Sequence, residues 1–260
     1  RMIRLSFHGG AGTVTGSRHL LQVNDTQVLV DCGLFQGLKD LRERNWAPPG
    51  FNPQHVDWVL LTHAHIDHSG YLPRLVRDGF RGPILCTPPT LDLAGILLPD
   101  SAHLQEEDAE FYNRKGLSKH RPALPLYTQR DAERALRLMH TRPYGGWFDL
   151  GPAIRVRFRD AGHLLGSSML DVVVRDGGRE VQLLFSGDVG RYGMPLVADP
   201  EAPGEPDYLV VESTYGDRLH PAGAPIAALR PVLQRMLERR AVLLVPAFAV
   251  GRAQQIVYLA

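Results

Sequence analysis

The sequence has few of the features that mark secreted, disulfide-stabilised or membrane-spanning proteins. Its 260 residues include only two cysteines, Cys32 and Cys86, which give no disulfide framework and suit a reducing compartment. No apolar run approaches the ~18 residues that cross a membrane, and the first residues lack the apolar core of a signal peptide. We therefore expect a cytoplasmic protein with no membrane partner.

An excess of charge of either sign is also missing. The chain carries 29 lysines and arginines against 28 acidic residues, for a net charge of +1. No strongly basic tail indicates nucleic acid, so a partner of that kind has to be argued from the site itself. With 44% hydrophobic residues the chain can bury a core as one large domain or two modest ones.

Short strand patterns fill most of the chain, with helical patterns between and after them. Strands are predicted at residues 3–7, 19–23, 27–32, 58–63, 154–160, 169–174, 181–188 and 208–213. Helices are predicted at 69–78, 128–140 and 225–239, with helix in part of 88–125. Strands that come first, with helices covering the outside, predict an α/β fold of two sheets packed between helical layers.

The pattern changes after a proline-rich surface loop at residues 197–207. The helix at 225–239 is followed by a predicted strand at 241–247 and a helix that opens at Gly251. We interpret residues 1–220 as the first domain and 221–260 as the incomplete beginning of a second α/β unit.

One stretch, "LLTHAHIDHSGYLP", places His63, His65, Asp67 and His68 within six residues after an apolar run. Such a cluster has no purpose in a solvated loop and would be costly in a core. His63 and His65 point the same way on an extended backbone and can bind one metal ion. The chain then turns, which directs Asp67 and His68 towards a second ion, as hydrolysis by two metals requires.

Two metals need more ligands than this loop supplies. His163 in "RDAGHLLGSS" and Asp188 in "LLFSGDVGR" both follow strand patterns and lie beside glycines. Asp31 ends "QVLVDC" and can accept a proton from the second ring nitrogen of a ligand histidine. Taken singly, His163 would be an ordinary turn or core histidine, Asp188 a turn residue and Asp31 a cap. The cluster favours the metal for all three.

"THAHIDHSG" matches the H-x-H-x-D-H motif, and with Asp31, His163 and Asp188 in order the sequence resembles the metallo-β-lactamase superfamily. The resemblance implies an αβ/βα four-layer sandwich with its metals at the edge between two sheets. It also implies two Zn²⁺ ions, with Mn²⁺ as an alternative. By position, the first is held by His63, His65 and His163, and the second by Asp67 and His68, with Asp188 bridging.

Three further stretches resemble the β-CASP branch, which includes the cleavage and polyadenylation endonuclease and RNase J. They are "HGGAGTVTGSRHLL" at 8–21, "VVESTYGDR" at 210–218 and "LLVPAFAVGRAQQIVYL" at 243–259, where Pro246 replaces a common serine. The branch implies that Glu212 supports a histidine acting as general acid. The helix start at Gly251 and the nearby Arg252 would make a phosphate site.

The resemblance implies a ribonuclease that hydrolyses RNA phosphodiester bonds through a hydroxide activated by two metals, with Asp67, Asp188 and Glu212 as catalytic carboxylates. It also implies a sequence cut short at its C-terminus, at the start of an inserted β-CASP domain, and allows a homodimer. Two alternatives stay open: a thioester or lactone hydrolase of the glyoxalase II kind, and an inactive scaffold subunit.

Overall fold

A computed structural model describes residues 3–219, 223 and 225–260, except for the side chains of Asp176 and Pro225. The strands are β1 Ile3–Gly9, β2 Arg18–Val23, β3 Thr26–Val30, β4 Trp58–Leu60, β5 Ile84–Cys86, β6 Met139–Thr141, β7 Trp147–Asp149, β8 Ile154–Asp160, β9 Ser168–Asp176, β10 Arg179–Phe185 and β11 Tyr208–Val210. The helices are α1 Lys39–Glu43, α2 Ile66–Ser69, α3 Leu72–Arg77, α4 Pro88–Lys115, α5 Gln129–Arg137, α6 Pro225–Arg239 and α7 Arg252–Leu259, with a 3-10 turn at Pro53–His55.

The strands form two sheets, and within each sheet neighbouring strands are consecutive in the chain. The first sheet runs β1 to β6 in sequence, and the second runs β11, β10, β9, β8, β7. In the first sheet β1, β2 and β3 are antiparallel, whereas β3 to β6 are parallel. In the second only the β10–β11 pair is parallel. The prediction of two sheets is therefore confirmed.

Two apolar clusters account for the layers. Between the sheets, Leu21 and Leu60 of the first pack in one cluster with Phe158, Val172 and Phe185 of the second. On the other face of the first sheet, residues of β3, β4 and β5 share a cluster with residues of α3, α4 and α5. The alternation of side chains along each strand thus gives the first sheet two buried faces, with helices on its outer side.

Several boundaries differ from the sequence predictions for physical reasons. The helix expected at 128–140 ends at Arg137, because Met139–Thr141 pairs with β5 as strand β6. Strands β5, β6 and β7 were not predicted, since each has only three residues and shows little periodicity. The helix expected at 69–78 begins later, as α3 at Leu72, because a turn at Gly70 separates it from the short helix α2.

The strand predicted at 241–247 is wrong. Residues 241–248 have neither helical nor strand structure, and Val242 and Leu244 are 86% and 85% exposed. A strand needs a neighbouring strand to take up its backbone hydrogen bonds, and the described part of the chain offers this segment none. The helices at 225–239 and after Gly251 are present as α6 and α7. The predicted domain boundary at 220/221 falls on residues 220–222, outside the described residues.

The described residues contain no helix that combines the length and apolar character needed to cross a membrane.

A backbone lock joins three loops at one edge of the first sheet. Ser17 N donates to Asp67 O (2.9 Å), Gly33 N to Ser17 O (3.0 Å) and Cys32 N to His68 O (2.7 Å). The glycine-rich loop at 8–17, the turn after β3 and helix α2 are therefore held against one another. A β-carbon at Gly33 would lie 1.6 Å from Asp67 O, which leaves no room for any side chain.

Arg18 braces this lock from inside the protein. Its Nε and Nη2 donate to Gly33 O (3.0 and 2.8 Å), and Nη2 also donates to Asn45 Oδ1 (3.3 Å). The guanidinium carbon lies 3.8 Å from the centre of the Tyr71 ring and 5.0 Å from that of Phe35. A buried cation is tolerated here because hydrogen bonds and ring faces replace its water.

The lock predicts the effect of Gly33→Ala. The methyl group forces Asp67 O and the Gly33 turn apart, so we expect a loss of about 3 kcal/mol in unfolding free energy, together with weaker metal binding. Gly95→Ala is the matched control, because its β-carbon meets nothing within 4 Å in an exposed turn of α4. It should leave stability unchanged or raise it by about 1 kcal/mol. Thermal and urea unfolding check both, and equal stability of the two variants would contradict the lock.

Candidate metal centre

The polar residues singled out in the sequence come together because their strands end at the same edge. Asp31 follows β3 and His63 follows the parallel neighbour β4, while His163 and Asp188 follow β8 and β10 of the second sheet. Ser168 N and Oγ donate to Thr62 O (both 2.9 Å), a link that joins the two sheets beside the cluster. The site therefore lies where the two sheets meet.

Four donor atoms converge at the first group. His63 Nε2 and His163 Nε2 each lie 3.2 Å from His65 Nδ1. Asp188 Oδ2 lies 3.7 Å from His63 Nε2 and 3.5 Å from His163 Nε2. The four ligand atoms all fall within 4.8 Å of one another. The structure thus brings together residues separated by up to 125 positions in the chain.

The spacing of these atoms fits a metal ion. Ligands about 2.0–2.2 Å from a tetrahedral Zn²⁺ lie about 3.3–3.6 Å from one another. Four of the six separations, at 3.2–3.7 Å, match that edge length, and all six are within 4.8 Å. Three imidazole nitrogens with one carboxylate oxygen are also the donor types that borderline divalent metals prefer.

A second group lies on the other side of Asp188. His68 Nε2 is 3.2 Å from Asp188 Oδ1 and 3.9 Å from Asp67 Oδ2. The two oxygens of Asp188 therefore face different groups, Oδ2 the three histidines and Oδ1 the His68 side. This is the arrangement of a bridging carboxylate, although the ligand roles themselves stay predictions.

Asp31 lies directly behind His68. Its Oδ2 is 2.7 Å from His68 Nδ1, and its carboxylate accepts hydrogen bonds from Thr62 N (2.8 Å) and Thr62 Oγ1 (2.9 Å). The residue is buried and has a left-handed backbone (φ 58°), which an aspartate tolerates better than most side chains. The contact fixes which nitrogen of His68 faces Asp188.

The burial of the site sets its charge states. Burial lowers the pKa of His63 well below its usual range, lowers that of His65 to about 4 and also lowers that of His163. Burial opposes the charge on His68 as well, but the carboxylates of Asp31 and Asp188 outweigh it and raise its pKa. Three neutral imidazoles therefore present lone pairs, the protonation state that a metal requires.

Sequence reasoning missed the residues that hold His163 in place. Ser167 Oγ accepts from His163 N and Leu164 N (both 3.0 Å), and the hydroxyls of Thr87 and Thr90 donate to Gly166 O (2.6 and 2.8 Å). Thr62 was missed too, although it links Asp31 to His63 Nδ1 (3.0 Å). The signal for Ser167 was present in "GHLLGSS", where a serine follows the histidine by four residues.

Glu212 lies next to the centre without joining the ligand atoms. Its Oε1 accepts from Val189 N (2.8 Å), one residue beyond Asp188, and its own N–H donates to Ser186 Oγ (3.0 Å). With Asp31, His68 and Asp188 it lines a cleft of about 620 Å³ that the glycine-rich loop also borders. That volume is within the usual range of ligand sites. The general-acid role implied for a partner of Glu212 stays a prediction.

The phosphate candidates Gly251 and Arg252 lie at the beginning of α7. A β-carbon at Gly251 would lie 3.2 Å from Leu164 Cδ1, which places the helix start against the loop that carries His163. The Gly251 N–H is already used, since it donates to Gln254 Oε1 (2.7 Å), and the Arg252 side chain is exposed. Phosphate binding by either residue stays a prediction.

Two curated proteins are similar over almost all of this chain. Ribonuclease TTHA0252 of Thermus thermophilus is 40% identical over 257 residues, covering 98% of this chain and 54% of the relative. Transcription termination factor FttA of Methanocaldococcus jannaschii is 34% identical over 261 residues, covering 98% of this chain and 38% of the factor. This chain therefore spans about half the length of the first relative and less of the second.

Among solved structures, the subclass B3 metallo-beta-lactamase BJP-1 of Bradyrhizobium japonicum covers 100% of this chain and 94% of its own, at 16% identity and a TM-score of 0.47. A likeness of that size says nothing about the substrate. The family model described as the metallo-beta-lactamase superfamily matches residues 12–247, which include every residue of the two ligand groups. The chain therefore belongs to the metallo-beta-lactamase superfamily, as its H-x-H-x-D-H motif predicts.

Proposed function

We propose that this chain is the metallo-β-lactamase part of a ribonuclease of the β-CASP branch, which hydrolyses RNA phosphodiester bonds in RNA processing or degradation. The observation that carries the proposal is the convergence of three imidazole nitrogens and the Asp188 carboxylate beside an open cleft. The similarity to a ribonuclease and to termination factors supports RNA as the substrate. On this proposal, residues 221–260 begin the inserted β-CASP domain.

The site is proposed to hold two divalent ions, zinc first and manganese as the alternative. His63, His65 and His163 would hold one, Asp67 and His68 the other, with Asp188 between them. When bound, the ions would supply positive charge and a water whose pKa is lowered towards neutrality. The donor set supports this assignment, since imidazole and carboxylate ligands suit both metals.

The residues of the chain have separate tasks in the proposed reaction. Asp31 accepts a hydrogen bond from His68 Nδ1, which leaves Nε2 on the side of Asp188, where it would bind the second ion. Asp67 and Asp188 orient the water that attacks phosphorus. Glu212, fixed by Val189 N, lines the cleft and would support a histidine that donates its proton to the leaving 3′ oxygen.

The surroundings of the proposed reaction are also part of the hypothesis. Gly251 and Arg252 are candidates to contact a phosphate next to the scissile one. A cytoplasmic location agrees with Cys32 and Cys86, which are both free and buried. Formation of a homodimer stays a prediction.

The first prediction from the proposed function concerns the metal ligands. His63→Ala removes one of three converging nitrogens, so we expect the metal content of the complete native protein to fall by about one ion per chain. His55→Ala is the control, because this exposed histidine lies in the 3-10 turn away from the group. Elemental analysis after gel filtration measures both variants. Unchanged metal content in His63→Ala would refute the assignment.

The second prediction concerns Asp31. Asp31→Asn keeps the size of the side chain and tolerates the left-handed backbone, but it loses the negative charge behind His68. We expect metal affinity to fall about 10–100-fold with little change in thermal stability. Chelator competition measures the affinity, with Asp25→Asn in the exposed β2–β3 turn as control. Wild-type affinity in Asp31→Asn would leave Asp31 only a structural role.

The third prediction tests the substrate. The complete native protein should cleave labelled RNA, lose that activity on metal chelation, and regain it when zinc or manganese is restored. Asp188→Asn should lower the cleavage rate constant by about 100-fold or more, since the negative charge is lost and one of the two oxygens becomes an NH2 group that cannot bind a metal. Parallel assays with a thioester and a lactone cover the other class of hydrolase. Brisk turnover of either, with no cleavage of RNA, would refute the proposal.

A further inference from the structure

The end of helix α4 carries a concentrated positive charge far from the metal centre. Residues 111–124, "FYNRKGLSKHRPAL", contain four lysines and arginines and no acidic residue. We name the α4-end patch by its exposed side chains: Phe111, Tyr112, Arg114, Lys115, Lys119 and Arg121. The remainder of the chain carries 25 lysines and arginines against 28 acidic residues, four of which precede the patch at positions 106–110, so this local excess needs an explanation of its own.

The segment that carries the patch is tied down at both of its ends. Asn113 Nδ2 donates to Ala123 O (2.9 Å), and Ala123 N donates back to Asn113 Oδ1 (2.7 Å). Further on, Leu126 O accepts from Arg74 Nη1 (3.3 Å) and Arg77 Nη1 (2.9 Å). These hydrogen bonds fix both ends of the loop between α4 and α5. The charged side chains of the patch therefore project from an ordered segment.

The cations of the patch are available to a ligand. Within residues 3–219, 223 and 225–260, none of the four has a carboxylate at ion-pair distance. Arg114 and Lys115 lie in the last turn of α4, where they also compensate the helix dipole. Compensation of the helix dipole does not account for Lys119 and Arg121, because both lie beyond the left-handed C-cap Gly116.

Two aromatic rings lie exposed beside these cations. Phe111 and Tyr112 are 42% and 46% exposed, with ring centres 5.9 Å apart in an edge-to-face pair. The Arg114 guanidinium carbon is 6.0 Å from the Phe111 centre. Exposed rings among unpaired cations are what single-stranded nucleic acid requires, since phosphates contact the cations and bases stack on the rings.

The patch is separate from the metal centre. Helix α4 begins beside the His163 loop, where Thr90 Oγ1 donates to Gly166 O (2.8 Å). Its 28 residues span about 42 Å at 1.5 Å per residue, which takes the patch to the opposite end. A ligand on the patch therefore cannot also contact the metals unless it is long.

We infer that the α4-end patch is a second RNA-binding surface, which holds a single-stranded part of the substrate remote from the scissile bond. The inference rests on the proposed ribonuclease function and adds a preference for long substrates. Acidic protein segments would match the charge as well, but aspartate and glutamate have no aromatic ring to stack on Phe111 and Tyr112. RNA matches both features of the patch.

The experiment compares long and short RNA in the complete native protein. Binding is measured by fluorescence anisotropy in an Asp188→Asn background, with labelled oligouridylates of about 30 and about 4 nucleotides. The test variant is Arg114→Gln, Lys115→Gln, Lys119→Gln and Arg121→Gln combined. The control combines Arg230→Gln, Arg235→Gln, Arg239→Gln and Arg240→Gln, which removes the same charge from exposed positions on and after α6.

The test variant should raise the Kd for the long RNA about tenfold or more and lower the salt slope of log Kd by about 3, since four phosphate contacts are lost. Binding of the short RNA, and its cleavage rate with Asp188 restored, should stay unchanged, as should all values for the α6 control. Phe111→Ala with Tyr112→Ala, which keeps the charge, should weaken long-RNA binding by about tenfold. Circular dichroism melting checks that each variant is folded.

Three results would overturn the inference. The first is wild-type affinity of the four-glutamine variant for long RNA. The second is an equal loss in the α6 control, which would show a nonspecific charge effect. The third is binding of a glutamate homopolymer to the patch as tightly as RNA, which would indicate an acidic protein partner. If wild-type protein cleaves no RNA at all, the proposed function itself fails, and this outcome is distinct from the other three.

Discussion

Nitrogen lone pairs that face one another at 3.2 Å repel unless a cation or a proton lies between them. His63, His65 and His163 are held in that arrangement, at the point where both sheets end. Burial keeps their rings neutral, so each ring has one nitrogen lone pair that can bind a metal. The surrounding structure therefore has to hold these rings in place and provide negative charge close to them.

The frame consists of short contacts between loops rather than of long elements. Gly33 abuts Asp67 O, Asp31 contacts His68, and Ser167 accepts two backbone N–H groups around His163. Arg18, between two aromatic rings, braces the first of these loops from behind. Positions far apart in the chain are thereby held in one arrangement, as a ligand set requires.

Charge is distributed in the molecule in two distinct ways. At the metal centre carboxylates are gathered: Asp31 and Asp188 flank His68, and their combined field favours a positive charge there. At the end of α4 the cations are gathered instead, with no acidic residue among residues 111–124. A net charge of +1 conceals both features. For a substrate that is a polyanion, one end of the molecule would carry the chemistry and the other would hold the strand.

The sequence by itself determined the superfamily, because the cluster of His63, His65, Asp67 and His68 is local and its spacing is visible in one stretch. It also determined several regular elements, since β8, β9, β10 and α6 carry clear periodicity, whereas the longest helix, α4, was predicted only in part. Only the tertiary structure decided that Asp188 presents one oxygen to each group, that Thr62 and Ser167 support the ligands, and that 241–247 forms no strand. Each of these depends on a partner distant in the chain, and periodicity within one segment carries no information about such a partner.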